Sequence, residues 1–260
     1  MKLVFDVDGT ISFDGQKIDD QIIREIKALP VKQAELVFAS ARPIRDLLPI
    51  VRMFSNSSLI GGNGSIISLK GQVCVTSPIK SQDYQFLKML IKANHLDYLI
   101  DGKWDYSAHV QQGSPILRQL DPDHLAHNVD LKGLRQPIKA ILLNLSNQQM
   151  QLLVKRLRGQ TALSIVEHHG EHNIDMTATG INKYATLRKL FPKDDYIAFG
   201  NDDNDRELLA GARKSVWIGP LDRAEQAGVL HPDFNYSANV SGAMQAIEHI
   251  RNFLKNDMIR

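Results

Sequence analysis

Cys74 is the only cysteine in the chain, so no internal disulfide is available and cysteine usage lends no support to an oxidising compartment. Long apolar runs are missing too, none approaching the roughly 18 residues that a membrane-crossing helix needs. The chain opens Met-Lys-Leu-Val-Phe and then meets Asp6 and Asp8, too short and too acidic an apolar stretch for an export signal. These absences make the cytoplasm the expected location and exclude a membrane partner. A surplus of one charge sign is also lacking. Lys and Arg number 31 against 29 Asp and Glu, and no basic run is long enough to track a phosphate backbone, which excludes nucleic acid as an expected partner. Internal repeats and low-complexity segments are not evident.

What is present is the composition of a globular chain, since 43% hydrophobic residues can bury a sizeable core. At 260 residues there is room for two compact units of about 100 to 150 residues each. Short apolar runs at Leu3 to Phe5, Glu35 to Ala39, Tyr196 to Phe199 and Ser215 to Ile218 suit strands buried on both faces of a parallel sheet. Helical periodicity fills the gaps: Ile22, Ile23, Ile26 and Leu29 mark Asp19 to Leu29, with similar patterns at Ile44 to Phe54 and Lys183 to Leu190. Strands alternating with helices predict an α/β, doubly wound parallel sheet.

The middle of the chain reads as a separate α+β unit inserted into that core. Helices are expected at Ser81 to Ala93 and Asn147 to Leu157, and strands at Tyr98 to Tyr106, Ile138 to Leu145, Leu163 to His168 and His172 to Thr177. His169, Gly170 and Glu171 are expected to turn a hairpin between the last two strands. The expected division is residues 1–80 and 179–260 for the core and 81–178 for the insertion.

The sharpest feature follows the first strand, where Phe5-Asp6-Val7-Asp8-Gly9-Thr10 sits at the address at which open α/β sheets bind ligands. Asp6 and Asp8 are two apart, so in extended chain their carboxylates leave on one side, and a hard, oxygen-seeking cation such as Mg2+ would relieve their repulsion. Gly9 permits a tight turn whose main-chain N–H groups would meet phosphate oxygens. A polar turn leaving a strand would account for these residues alone. It does not account for a second acidic loop, Gly200-Asn201-Asp202-Asp203-Asn204-Asp205, after another apolar strand.

Taken together, these motifs resemble the haloacid dehalogenase-like phosphatase superfamily, and within it the Cof-type, type IIB-cap sugar phosphatase branch, along essentially the whole chain. Asp6 to Thr10 resembles its first motif, Ser40-Ala41-Arg42 the second, Lys183 the third and residues 200–205 the fourth, while Gly62-Asn63-Gly64 resembles the turn that precedes the cap. The resemblance implies a Rossmann-like core, an inserted cap, Mg2+ as cofactor and a small phosphorylated substrate. Asp6 would be the nucleophile, Asp8 the general acid/base, and Ser40 and Lys183 would stabilise the phosphate. Gly9, Thr10, Ala41, Arg42 and Asn204 would line the phosphate site, and Asp6, Asp8, Asn201 and Asp205 would hold the metal. Asn201 departs from the pattern, which has aspartate there, and brings an amide oxygen without charge.

Each of these residues has a plainer reading. A lone serine after a strand is commonly a helix cap, a lone lysine before a helix is commonly solvated, and Arg42 beside Pro43 suits a helix start. The order of the four motifs favours the functional reading. Glu167, His168, His169, Glu171 and His172 contain zinc-ligand residue types, but their spacing in a hairpin is irregular and favours a polar tip of the insertion, one that could reach a substrate. Trp104 and Tyr106 are expected to alternate in one strand, where such rings can stack on a ligand but more commonly pack. Two rival activities share this pattern: a phosphomannomutase-like phosphotransferase, and a non-catalytic sugar-phosphate sensor, against which the intact Asp6, Asp8 and Lys183 weigh.

Overall fold

A computed structural model describes residues 1–30, 34–168 and 170–257. In chain order its elements are β1 (Lys2–Asp6), α1 (Asp20–Lys27), β2 (Glu35–Ala39), α2 (Ile44–Val51), β3 (Ser58–Gly61), β4 (Ile66–Leu69) and β5 (Gln72–Val75). There follow α3 (Ser81–Asn94), β6 (Asp97–Asp101), β7 (Tyr106–His109), β8 (Lys139–Leu143), α4 (Asn147–Gln160), β9 (Ser164–His168) and β10 (Asn173–Thr177). The chain closes with α5 (Lys183–Leu190), β11 (Tyr196–Gly200), α6 (Arg206–Ala210), β12 (Lys214–Ile218), α7 (Leu221–Gln226), β13 (Phe234–Tyr236) and α8 (Val240–Asp257).

The eight-stranded sheet has the order β13-β12-β11-β1-β2-β3-β4-β5, parallel from β13 to β3 and antiparallel beyond. Its central strands are apolar on both sides because helices cover both faces. Phe5, Phe38 and Phe199 pack with α1, α2 and α8 on one face, while Val4, Val37 and Ala198 pack with α5, α6 and α7 on the other. From β1 the chain moves outward through β2 and β3 on one side, then returns to build β11, β12 and β13 on the other. The strand order therefore reverses beside β1, and a crevice opens there above the carboxyl ends of β1 and β11.

A second sheet of five antiparallel strands, β7-β6-β8-β10-β9, carries α3 and α4 on its far face through Leu87, Leu90, Leu153 and Leu157. Alternation aims Lys139, Ile141 and Leu143 of β8 the other way, into the space between the sheets.

Several expectations needed correction. The single strand expected over Tyr98 to Tyr106 is two, β6 and β7, because a turn closed by the Gly102 N–H on the Asp105 carbonyl (2.9 Å) reverses the chain. Trp104 thus lies in that turn rather than alternating with Tyr106 in one strand. The helix expected to reach Phe54 ends at Val51 and tightens into a 3-10 turn. In the hairpin between β9 and β10, His169 lies outside the described residues, and His172 adopts the left-handed conformation (φ 56°). Periodicity had not marked β3, the β4–β5 hairpin or α8. Among the described residues no helix is long and apolar enough to cross a membrane.

Candidate active site

Asp6 ends β1 and is buried, with its neighbours fixed by a tight turn in which the Ile11 and Ser12 N–H groups donate to the Val7 carbonyl (3.0 and 2.9 Å). Gly9 makes this turn possible at φ +81°, where a side chain would also collide with Asn201. The N–H groups expected to greet a phosphate are committed inside the turn: Gly9 donates to Ser12 O at 2.7 Å and Thr10 to Val7 O at 3.3 Å.

Lys183 begins α5, whose start is capped by Asn182 accepting from the Ala185 N–H at 2.7 Å. Its fully buried ammonium donates to Asp6 Oδ1 at 2.6 Å, Asp205 Oδ1 at 2.8 Å and Asn204 Oδ1 at 2.9 Å. An ammonium has three protons and all three are used, which explains why a lysine is tolerated without solvent. Burial works against its charge, yet the Asp205 and Asp6 carboxylates outweigh burial and hold its pKa above the ordinary value. Asp6 responds mainly to burial and next to the Asp205 charge, which together push its pKa up to about 7 against the opposing pull of Lys183 and Thr10.

Asn201, Asp202 and Asn204 line the cavity at the end of β11, and Asp205 is buried behind them. Both Asp205 oxygens are engaged, Oδ1 by Lys183 and Oδ2 by the N–H groups of Asn201 (3.1 Å) and Asp202 (3.3 Å). Asn204 also donates to Asn63 Oδ1 at 3.4 Å, and Asn63 stands at φ 54° in the Gly62-Asn63-Gly64 turn. Gly64 is required there, since a Cβ would come within 2.5 Å of the Asn182 carbonyl.

The side chain of Asn201 is the point where a metal would be tested. Thr10 Oγ1 donates to Asp6 Oδ2 at 2.7 Å. In the amide orientation that satisfies its surroundings, Asn201 Nδ2 lies 3.0 Å from that same Asp6 oxygen and 3.1 Å from the Asp8 main-chain carbonyl. Hard oxygen acceptors from Asp6 and Asp8 thus converge on the Asn201 side chain, which offers a further oxygen when the amide turns over. That donor set fits Mg2+ in kind, with one carboxylate rather than two.

Asp8 is 38% exposed and opens toward the cavity. Arg42 grips it with a fork, Nε to Oδ2 at 2.8 Å and Nη2 to Oδ1 at 2.6 Å. Ser40 is buried, accepting from the Arg42 N–H at 3.1 Å, while Ala41 lines the cavity.

That cavity, about 1130 Å³, lies between the two sheets. Asp6, Asp8 and Asn201 face it from the large sheet, and Lys139 and Asp175, an ion pair of 2.8 Å, face it from the small one. The inserted unit is held over the core by a buried network. Arg45 of α2 donates to Asp46 (2.6 and 2.8 Å), to Asp101 of β6 (2.9 Å) and to the Trp104 carbonyl (2.8 Å). The Tyr106 ring covers its guanidinium. Burial pushes the Asp101 carboxyl up, against the pull of Arg45. Sequence reasoning passed over Arg45, Lys139 and Asp175, and marked Asn63 only as part of its turn. Only Arg45 and Asp46 left a signal, as two charges inside an otherwise apolar helix.

The described residues of the histidine-rich hairpin form no comparable cluster, although Glu167, His168 and Glu171 line the same cavity. Glu167 accepts from Arg158 at 2.9 Å and His168 lies 3.8 Å from Asp175. Among the described residues no group of three or more His, Cys, Asp or Glu is placed to hold a metal.

Comparison with known proteins identifies the family and the fold. The family model described as haloacid dehalogenase-like hydrolase matches residues 3–222. Among solved structures, a haloacid dehalogenase-like hydrolase from Bacteroides thetaiotaomicron superposes with a TM-score of 0.78 at 18% identity, covering 96% of this chain and 98% of that one. Another from B. subtilis gives 0.75 at 17% identity over 96% and 99% of the two chains. A sugar phosphatase of the superfamily's subclass IIB gives 0.72 at 18% identity over 96% and 98%. No curated protein matches by sequence.

Proposed function

Since this chain belongs to the haloacid dehalogenase-like hydrolase family, we propose that it is a magnesium-dependent phosphatase of small phosphorylated metabolites, sugar monophosphates foremost, working through an aspartyl phosphate on Asp6. The observation that carries this reading is the buried Asp6 carboxylate, held by Lys183 at 2.6 Å and lining a large cavity together with Asp8. Sugar as the carried group finds support in the likeness to a sugar phosphatase fold and in a cavity roof that offers paired donors and acceptors.

Asp6 attacks phosphorus and the bond to the ester oxygen breaks, its electrons leaving with that oxygen. Asp8 gives the departing oxygen a proton. It then takes one from the water that attacks the acyl phosphate, which returns Asp6 to its starting form. Lys183 keeps Asp6 oriented and balances charge at its Oδ1. Asp6, the Asp8 carbonyl and Asn201 would hold the magnesium, which when bound neutralises phosphate charge so that one anion can approach another.

The test is phosphate release from a panel of sugar phosphates, nucleotides and pyridoxal phosphate with and without magnesium, across pH. Release should require the cation and, at low magnesium, rise about tenfold per pH unit until Asp6 is ionised near pH 7, where it levels. Adding cation favours the charged carboxylate and should move this limb to lower pH. Conversion of one hexose phosphate into another without free phosphate would replace the phosphatase reading with a phosphotransferase, and ligand binding without either reaction would make the protein a sensor.

Asn201→Asp supplies a second prediction. The new carboxylate would sit about 3 Å from Asp6 Oδ2, where the amide now donates. Without metal the variant should melt lower than wild type, and magnesium should raise its melting temperature more, consistent with about tenfold tighter binding. Equal magnesium shifts in the two proteins would remove Asn201 from the metal site.

A further inference from the structure

Asp8 is a partly exposed carboxylate of the site, whereas Asp6 is buried, and among the described residues the Asp8 side chain is bonded by Arg42 alone. Arg42 itself has little freedom. Its N–H donates to Ser40 Oγ at 3.1 Å, its carbonyl accepts from the Gly62 N–H at 2.7 Å, and its Nη2 donates again to the Gly15 carbonyl at 2.7 Å. The main chain of Arg42 is therefore pinned between the end of β2 and the Gly62-Asn63-Gly64 turn. Its side chain, 7% exposed, forms a rigid bracket against a carboxylate that is 38% exposed.

We propose that Arg42 is the positioning residue for Asp8: its planar fork fixes the rotamer of that carboxylate so that an oxygen faces the leaving group. This rests on the phosphatase reading above. A bidentate guanidinium uses one lone pair on each carboxylate oxygen, and each oxygen keeps a second one. A proton carried there can be given to the ester oxygen as its bond to phosphorus breaks, and a proton from water can later be received at the same atom. Without the fork, a half-exposed aspartate samples several rotamers, and the proton transfer loses its geometry while Asp6 keeps its own.

Leaving groups separate this role from a general structural one. An alkoxide from a sugar needs a proton as it departs, whereas p-nitrophenolate does not. Hydrolysis of glucose 6-phosphate and p-nitrophenyl phosphate should be compared in wild type, Arg42→Met, Arg42→Lys, Asp8→Asn and the double variant R42M/D8N.

Arg42→Met should lower kcat on the sugar phosphate about 100-fold, with KM nearly unchanged and a loss of less than about tenfold on the aryl phosphate. Arg42→Lys keeps charge and bulk but not the fork. It should stay folded and still lose part of the sugar-phosphate rate. The double variant should be no slower than Asp8→Asn. Equal losses on both substrates, a raised KM at constant kcat, or multiplicative losses in the double variant would overturn the role and leave hydrolysis intact. Failure of wild type to release phosphate from either substrate would overturn the hydrolase reading and this role together.

Discussion

On the proposed reading, Asp6→Asn should remove phosphate release, by at least about 1,000-fold in kcat, because an amide cannot form the acyl phosphate and no neighbouring group is free to replace it. The Asp205 oxygens are both occupied, by Lys183 and by two main-chain N–H groups, and Asp8 is gripped by Arg42. The substitution preserves shape, and Lys183 keeps Asp205 at 2.8 Å and Asn204 at 2.9 Å, so the variant should fold. It should even gain stability toward alkaline pH. The Asp6 carboxyl has its pKa raised from 3.8 to about 7, so the folded state holds its proton more tightly than the unfolded chain. Its contribution to stability is present in acid and is lost as pH rises from about 4 through 7, a loss an amide does not suffer. Steady-state release and urea unfolding across pH check both halves. Retention of more than a tenth of the wild-type rate would place the nucleophile elsewhere.

Lys183→Met should have the largest effect on folding. It leaves Asp6 and Asp205 buried together without the cation that joins them, and removing one partner of a buried ion pair costs about 3–5 kcal/mol. Isosteric bulk does not help, because the cost lies in two carboxylates without solvent or counter-charge. The loss should shrink as pH falls, since protonating one of the two carboxyls removes their repulsion. An unfolding free energy from urea titration within about 1 kcal/mol of wild type at pH 8 would mean that water or an ion already compensates these carboxylates. Activity should fall as well, because Asp6 loses the contact that orients its Oδ1.

How much of this was legible beforehand depended on whether the signal was local. The core strands stood out because strands covered on both faces must be apolar throughout, as Leu3 to Phe5 and Tyr196 to Phe199 are. The strand β3 and the β4–β5 hairpin did not, because Ser58, Ser68 and Gln72 interrupt the apolar pattern near the sheet edge. The reversal at Gly102 was hidden by apolar and aromatic residues on both sides of it. Asn63 was noticed as part of a turn, but its contact with Asn204 joins residues 141 positions apart.

By itself, the sequence determined that acidic loops end two buried strands, that a lysine starts a helix between them, and that a separate α+β segment interrupts the α/β pattern. These are consequences of periodicity and turn chemistry, which act over a few residues. The tertiary structure alone decided the pairings. Placing β11 beside β1 sets Lys183 against Asp6 and turns the Asn201 amide toward the Asp8 carbonyl, and the end of β2 aims Arg42 at Asp8. The inserted sheet reaches the core through Arg45 and Asp101. Such contacts depend on strand order and on the absence of water around buried charge, neither of which is written in the spacing of residues along the chain.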